Sequence, residues 1–483
     1  MYTNSDELLH LLRTKDEQYW ISEGEKMALD LFHRAAEQVP AYKDFLQKAK
    51  VDHEKIKTIG DFSAYVPVID KKNYISQYDL KELSWGGLKL GGVVYSSSGT
   101  SGKPTFWLRN RTHDKQTSLV HGLLLKSFFK VDLVRTLVVD CFAMGIHVAG
   151  YITGVAVNSL IDGGDAIFLA TPGSKIDDIS QLLFKTANNW EQIILVGYPP
   201  LVKRALEEMN TNGFDWSKVK LGLLLAAQGF SEDWRRHVQR ITKSPPGSIF
   251  SIYGSADGGV MGFETPLSVS LKERLEEGVV DYDFKLPNLE SRSPYLFQYL
   301  PTLKYFESLA NELVFTGDNG VPLIRYNIHD IGGILNLDKL VALAKNIGEA
   351  ALFKLPGLYL YGRSDYSVIF SGANIYPEHL LTAIQSSGFM NELTGSFFIE
   401  VKEDGSLTQQ LHLHLELVRD FKVEPEIKNR LKKVLTVQLC EINREFSVVV
   451  NDMQNYENVL LHLHEFESDH FSQKQVKNIN IKN

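Results

Sequence analysis

The chain has 483 residues, 44% hydrophobic and 23% charged, with a formal net charge of −8; this is ordinary for a soluble globular protein and long enough for two or three domains. The negative balance leaves no electrostatic footprint for nucleic acid, and no block of Lys and Arg points to an anionic membrane surface. No apolar run of about 18 residues would span a bilayer, the acid-bearing N-terminal stretch lacks a signal-peptide pattern, and Cys141 and Cys440 alone make neither a disulfide framework nor a cysteine-based zinc site. A cytoplasmic protein, monomer or homodimer, is expected.

Residues 1 to about 90 read as helical and irregular. Met27, Leu29, Leu31, Phe32, Ala35 and Val39 recur at helical spacing, and Pro40 ends that helix. Val93, Val94 and Tyr95 then read as the end of a strand. Ser96, Ser97, Ser98, Gly99, Thr100, Ser101, Gly102, Lys103 and Pro104 form a loop before a β-like run at 105–108. Such a loop offers unshielded backbone N–H groups, hydroxyls and one ammonium, the groups a polyphosphate needs. It is not the mononucleotide P-loop, because Ser97 stands where the first Gly belongs and Lys103 leads into a strand instead of a helix. On composition alone it reads as a hairpin turn.

From 112 to 260 helices and strands alternate: helix 112–129, strand 135–140, helix 150–161, strand 166–170, helix 176–190, strand 192–196, helix 200–209 and strand 221–226. This spacing implies βαβ units, an α/β fold and a mostly parallel sheet, with ligands at the carboxyl ends of the strands. Two segments fall on such ends. Ala226, Ala227, Gln228 and Gly229 leave a strand, and Ser231 is placed to cap a helix beginning at Glu232; the small residues let a flat base approach the backbone. Residues 250–255 deliver Tyr253, Gly254 and Ser255 to a loop carrying Asp257. There an aromatic face can stack on adenine and a carboxylate can hold Mg²⁺, with Glu264 as the alternative acid.

Farther on, Leu313, Val314 and Phe315 lead into the turn Gly317-Asp318-Asn319-Gly320, and 322–326 return as the second arm of a hairpin. Asp330 follows that arm, where a carboxylate can accept both ribose hydroxyls. Arg325 braces the loop or meets a phosphate, and Asp318 takes a structural place in its turn. The tail reads as a small α/β unit: strand 395–401, strand 410–417, helix 425–439 and strand 446–450. His412 with His414, and His462 with His464, would share a strand face, a spacing that metal ligands use. QLHLHLEL nevertheless reads as a half-buried strand with its polar residues outward, so solvent-exposed histidines and no structural zinc are expected.

These segments, in this order, resemble the adenylate-forming enzymes (acyl- and aryl-CoA ligases, luciferases, peptide-synthetase adenylation domains), and most closely the phenylacetate-CoA ligase branch and its coenzyme F390 synthetase-like relatives. SSGTSGKPT is similar to the family's phosphate loop, and VPAYKDFLQ to its early segment. LLLAAQGFSEDW is similar to the segment along the adenine, with Gln228 where relatives often carry an acid. Tyr253 to Asp257 resembles Tyr-Gly-x-x-Glu with Asp for Glu, and LIRYNIHD resembles Leu-Ile-Arg-Tyr-x-x-x-Asp. Arg363 and Asp365 fall in a Gly-Arg-x-Asp hinge motif. Near the end, Lys474 resembles the family's catalytic lysine and Lys477 its basic partner, although Gln473 replaces the usual glycine.

The resemblance implies a large domain over 1–361, a hinge at 362–366 and a small mobile domain over 367–483. It implies ATP and Mg²⁺ as cofactors, a small carboxylic acid as substrate, and CoA or a carrier-protein thiol as acceptor. Lys103 would hold the β- and γ-phosphates, Asp330 the ribose, Arg363 ribose or phosphate, and Lys474 the carboxylate and α-phosphate oxygens, with Asp365 at the pivot. Phe142, Met144, His147 and Tyr151 fall where the family builds its acyl pocket, which suggests an aromatic or apolar acid. Two other functions stay open: a nucleotide-binding homologue without turnover, and an amide-forming or nucleotidyl-transferring relative that does not use CoA.

Overall fold

A computed structural model describes residues 4–89, 91–97, 105–145, 148–227, 229–284, 293–344, 348, 352–363, 368–375, 379–380, 383–384, 387–389, 392–418, 421, 424–452, 455–466, 468 and 471. The chain divides into two compact units, a larger one built from residues up to 97 and from 106 to 364, and a smaller one whose described residues are Thr105 and those from 368 onward.

In chain order the strands of the larger unit are β1 (Gly92–Ser97), β2 (Thr105–Asn110), β3 (Thr136–Asp140), β4 (Ile167–Ala170), β5 (Gln192–Gly197), β6 (Leu221–Ala226), β7 (Ile249–Ser255), β8 (Gly259–Phe263), β9 (Tyr295–Gln298), β10 (Tyr305–Leu309), β11 (Glu312–Gly317), β12 (Leu323–Leu335) and β13 (Gly357–Arg363). β1 and β2 make a two-stranded sheet; the others form one sheet of order 10-11-12-13-9-8-7-6-5-3-4. The expected α/β class holds. β4, β3, β5, β6 and β7 are parallel neighbours joined by helices, and from β7 onward every pairing is antiparallel.

The parallel strands are near-continuous apolar runs because helices cover both faces: all five residues of β3 and all six of β5 are buried. Since β3 connects to β4 on one side and β5 lies on the other, the strand order reverses between β3 and β5. Ligands of open α/β sheets enter outside the carboxyl ends at such a reversal.

The first 90 residues clamp the antiparallel side. The helix Glu17–Gln38 starts at Asp16, whose side chain accepts the Tyr19 N–H at 2.9 Å. Pro40 opens the next helix, Pro40–Lys48, at its first position. Gly24 meets Pro301 so closely that a Cβ there would lie 2.6 Å from the proline. Ile69 forms a parallel bridge with Tyr326, its N–H donating to the Arg325 carbonyl at 3.1 Å. Buried Phe32, Phe62, Trp107, Phe315 and Tyr326 share one core there.

The smaller unit holds β14 (Val368–Phe370), β15 (Ala373–Ile375), β16 (Leu393–Glu403), β17 (Gln409–Leu417) and β18 (Val459–His464). β16 is antiparallel and β18 parallel to β17. The helix Pro425–Ile442 contributes Leu431, Leu435 and Leu439 to the core, against Leu411, Leu413, Leu415, Val459 and Leu461. The strand expected at 446–450 is instead a helix, Arg444–Ser447, followed by a turn of π-helix, Val448–Asp452. Asn443 caps it, its Oδ1 accepting the Phe446 N–H at 3.0 Å, and Phe446, Val449 and Val450 recur at helical spacing on the buried side. The β-branched run misled because local capping outweighed its strand propensity. Among the described residues, no helix is long and apolar enough to cross a membrane.

Candidate active site

β1 and β2 hold the two ends of the Ser/Gly/Thr loop. Tyr95 on β1 is buried, and its hydroxyl donates to the Ala256 carbonyl at 2.6 Å, tying the strand to the turn after β7. On β2, Arg109 is 1% exposed. Its Nε donates to Asp114 Oδ1 at 2.9 Å and its Nη2 to the His113 carbonyl at 3.1 Å. Burial, with the Arg109 and Lys304 charges nearby, holds His113 well below the usual histidine range, so it is neutral. A Cβ on Gly259 would lie 2.4 Å from His113 Nε2, and one on Gly320 would lie 2.3 Å from the Leu108 carbonyl oxygen. Glycine at both positions lets β2 and the helix after it sit directly on the β7–β8 and β11–β12 turns.

Tyr253 leaves β7 half-buried, its ring stacked on Phe297 with centroids 5.5 Å apart. Its hydroxyl donates to Asp330 Oδ2. The aim of Asp330 comes from a bulge. β12 pairs Asn327 with Val314 and then Asp330 with Leu313, so Ile328 and His329 are extra residues on that strand. His329 takes φ +64°, its N–H donating to Asn327 Oδ1 at 2.7 Å; bulges re-aim side chains in this way. Asp330 also pairs in register with Arg363 at the end of β13.

Beside β7, the end of β6 turns sharply. Ala227 has φ +75°, and Gly229 is packed so tightly on Tyr295 that a Cβ would sit 2.3 Å from the ring. Ser231 accepts the Trp234 N–H at 3.2 Å, capping the helix Glu232–Thr242 as expected from the residues. Below lies a buried ion network: Arg235 bonds Glu232 and Glu264, and Lys272 reaches Glu232 at 3.2 Å and donates to the Phe230 carbonyl.

At the β3–β5 reversal Asp140 ends β3. It is fully buried; Oδ1 accepts the Phe142 N–H at 3.1 Å and Oδ2 has no hydrogen-bond partner among the described residues. Burial pushes its carboxyl up to about 7. Phe142 is buried, Met144 is exposed with its sulfur against Gly150, and the Tyr151 hydroxyl donates to Asp114 Oδ2 at 3.2 Å.

No model of a known protein family and no curated protein sequence matches the chain. Among solved structures, 2-hydroxyisobutyryl-CoA ligase in complex with 2-HIB-AMP and CoA in the thioesterification state matches with a TM-score of 0.69, at 13% identity, over 98% of this chain and 91% of that one. An open conformation of the same ligase gives 0.53 at 12% identity over 100% and 92%. The fold is that of the adenylate-forming enzymes. At such low identity the fold is what is shared.

Within the adenylate-forming fold, the positions singled out from the sequence divide in two. Tyr253, Gly254, Ser255, Ala227, Gly229, Asp330 and the backbone of Arg363 lie on β6, β7, β12 and β13, or at their ends, and Ser97 ends β1. Ser98, Gly99, Thr100, Ser101, Gly102, Lys103, His147, Gln228, Asp365, Lys474 and Lys477 lie outside the described residues. Asp257 does not fit the metal-ligand role expected of it. It is 3% exposed, Oδ2 accepts the Tyr326 hydroxyl at 2.8 Å with the Lys71 ammonium at 3.6 Å, and Oδ1 accepts the Gly258 N–H at 3.2 Å. Both oxygens are engaged and a cation already stands beside them, so Asp257 fixes the turn. Glu264 fits no better, since Arg235 and the Ser251 N–H take its oxygens at 2.8 to 3.0 Å.

Arg325 proves to be a brace. It pairs with Glu307 through Nε and Nη2 at 2.9 and 3.0 Å and donates to the Val66 carbonyl. Asp318 is likewise structural, bonded to Arg34 and Trp85. Lys71, Arg109, Asp140 and Lys304 had no signal in the sequence, because Lys71 meets a partner far away in the chain and the other three matter through a burial that no local pattern announces. Burial brings Lys304 down to about 7, and it donates to Asn319 Oδ1 at 2.7 Å while Asn319 donates to the Asp257 carbonyl at 2.7 Å.

Proposed function

We propose that the protein activates a small carboxylic acid with ATP, forming an acyl-adenylate and pyrophosphate, and then transfers the acyl group to a thiol, CoA or a carrier protein. The supporting observation is the juxtaposition of Tyr253 and Asp330 by β7 and the bulged β12. An aromatic face beside a carboxylate suits an adenosine, the ring stacking on the base and the carboxylate accepting ribose hydroxyls. The Ala227–Gly229 turn offers the base a backbone free of bulk.

A carboxylate is a poor electrophile because its oxygen cannot leave. Attack on the α-phosphorus of ATP turns that oxygen into part of AMP, and the half-reaction needs charge neutralisation more than a protein nucleophile. Lys103 and the N–H groups of its loop are assigned the β- and γ-phosphates, Arg363 the ribose or a phosphate, and Lys474 the carboxylate and α-phosphate oxygens. Asp365 serves as the pivot between the half-reactions. Phe142, Met144 and Tyr151, with Asp140 beside them, are assigned to the acyl side. The 2-hydroxyisobutyryl-CoA ligase carries an acyl-AMP and CoA, which favours a thiol acceptor here.

The test is acid-dependent ATP–pyrophosphate exchange over aryl, arylacetic, short hydroxy and fatty acids, with Lys103→Ala and Lys474→Ala beside the wild type. Exchange that requires one acid class and falls at least 100-fold in both variants supports the reading. ATP binding without exchange for any acid refutes it in favour of a nucleotide-binding protein without turnover.

A further inference from the structure

The smaller unit carries a cluster of imidazoles that acid activation does not use. β17 and β18 are parallel with His414 opposite His462, and β16 brings Glu400 opposite His412. Side chains alternate along a strand, so Leu411, Leu413, Leu415, Val459 and Leu461 enter the core while Glu400, His412, His414, His462 and His464 share the other face. These histidines share a face as expected from the sequence, but they are half-buried or buried where solvent-exposed side chains were expected. His414 is 7% exposed, and its ring stacks on Phe398 with centroids 4.1 Å apart. The His414 ring lies 4.4 Å from that of His462 and 5.1 Å from that of His464.

Ring nitrogens converge in this stack. His412 Nδ1 lies 2.9 Å from His462 Nε2, and His414 Nδ1 lies 2.8 Å from His464 Nε2. One ligand atom from each of His412, His414 and His462 lies within 4.8 Å of the others. His412 Nε2 is buried with no hydrogen-bond partner among the described residues. On the far side of His414, Nε2 meets Glu400 Oε1 at 3.0 Å, and Lys402 holds the same oxygen at 2.6 Å. A carboxylate that takes one ring N–H of a histidine fixes its tautomer and leaves the other nitrogen as a lone-pair donor, the usual outer partner of a metal-bound imidazole.

We propose that His412, His414 and His462 bind one divalent transition-metal ion of the zinc class, with Glu400 orienting His414 and His464 adjacent as a fourth donor. Imidazole nitrogens select zinc, cobalt, nickel or copper over magnesium and calcium, which require oxygen ligands. Zinc–nitrogen bonds of about 2.0–2.1 Å set tetrahedral donors roughly 3.4 Å apart, so a separation as wide as 4.8 Å has to close by little more than about 1 Å, and the 2.9 Å contact between His412 and His462 has to open by about 0.5 Å. The ion would tie β17 to β18, which are joined in sequence only through the long helical excursion between 417 and 459. It is independent of the acid-activation reading.

The experiment loads the full chain with Zn²⁺ and, separately, Co²⁺, dialyses against a weak chelator and measures bound metal, with melting followed in each state. His412→Ala/His462→Ala and the surface variant His10→Ala of the larger unit are treated in parallel. The proposal predicts about one equivalent of retained Zn²⁺, intense visible absorption of tetrahedral Co²⁺ and a rise in melting temperature reversed by EDTA. Loss of at least 100-fold in affinity is expected in the double variant and no loss in His10→Ala. If the double variant does not fold, His462→Gln replaces it with the same expectation for the Co²⁺ spectrum. No retained metal, equal retention in the histidine variants, or only the weak spectrum of octahedral Co²⁺ overturns it.

Discussion

The Asp330 carboxylate accepts a hydrogen bond from Tyr253, and it is the group we propose for the ribose hydroxyls. Hydrogen bonds to a charged group contribute about 1.5–3 kcal/mol each, and 1.4 kcal/mol is a factor of ten. Asp330→Ala is therefore expected to raise the KM for ATP roughly 10- to 100-fold with little change in melting, read by exchange kinetics and calorimetry; an unchanged KM contradicts the ribose role. Asp140 makes a different prediction. Its carboxyl is pushed up to about 7 by burial, so between about pH 4 and 7 the folded chain keeps a proton that the unfolded chain has released. By linkage, stability falls as pH rises through that window and levels off above it. Asp140→Asn removes this slope, with a gain over wild type of up to about 4 kcal/mol at pH 8 and much less at pH 5. Urea unfolding of both proteins at the two pH values checks it, and parallel pH profiles would contradict it.

At the scale of elements, the network beneath the β6–β7 turns decides whether the site keeps its shape. Arg235 is 3% exposed and paired with Glu232 and Glu264. Removing one partner from such a buried pair costs about 3–5 kcal/mol. Glu264→Gln should therefore lower the melting temperature clearly while leaving the Mg²⁺ dependence of exchange unchanged; a shifted Mg²⁺ optimum without loss of stability would restore Glu264 as a ligand. Gly229→Ala is expected to weaken ATP binding and cost about 1–3 kcal/mol, because its Cβ would enter the Tyr295 ring; unaltered binding would detach that turn from the adenine.

The same scale shows what could be read from the chain. Helices and strands from 112 to 226 were legible because apolar periodicity and turn residues are local signals. Motif order singled out Tyr253 and Asp330 as candidates, but their meeting across β7 and the bulged β12 was not legible. The burial of Asp257 was not, because Tyr326 and Lys71, which occupy it, lie 69 residues after and 186 before it. The histidine cluster was hidden for a related reason: a two-residue spacing is visible, but the in-register parallel pairing of β17 with β18 is not.

For the whole molecule, five parallel strands run in the order β4-β3-β5-β6-β7 with a reversal between β3 and β5, and the antiparallel strands β12 and β13 pair Asp330 with Arg363, the two residues we propose for the adenosine. Past β13 the chain enters the smaller unit. The account requires that the acid's own oxygen become part of AMP. The most direct measurement is transfer of oxygen-18 from a doubly labelled carboxylate substrate, followed by mass spectrometry of the nucleotide after one turnover with a thiol acceptor. One labelled oxygen in AMP, with unlabelled pyrophosphate, is the predicted result. Label in inorganic phosphate together with ADP, or unlabelled AMP, would contradict carboxylate adenylation.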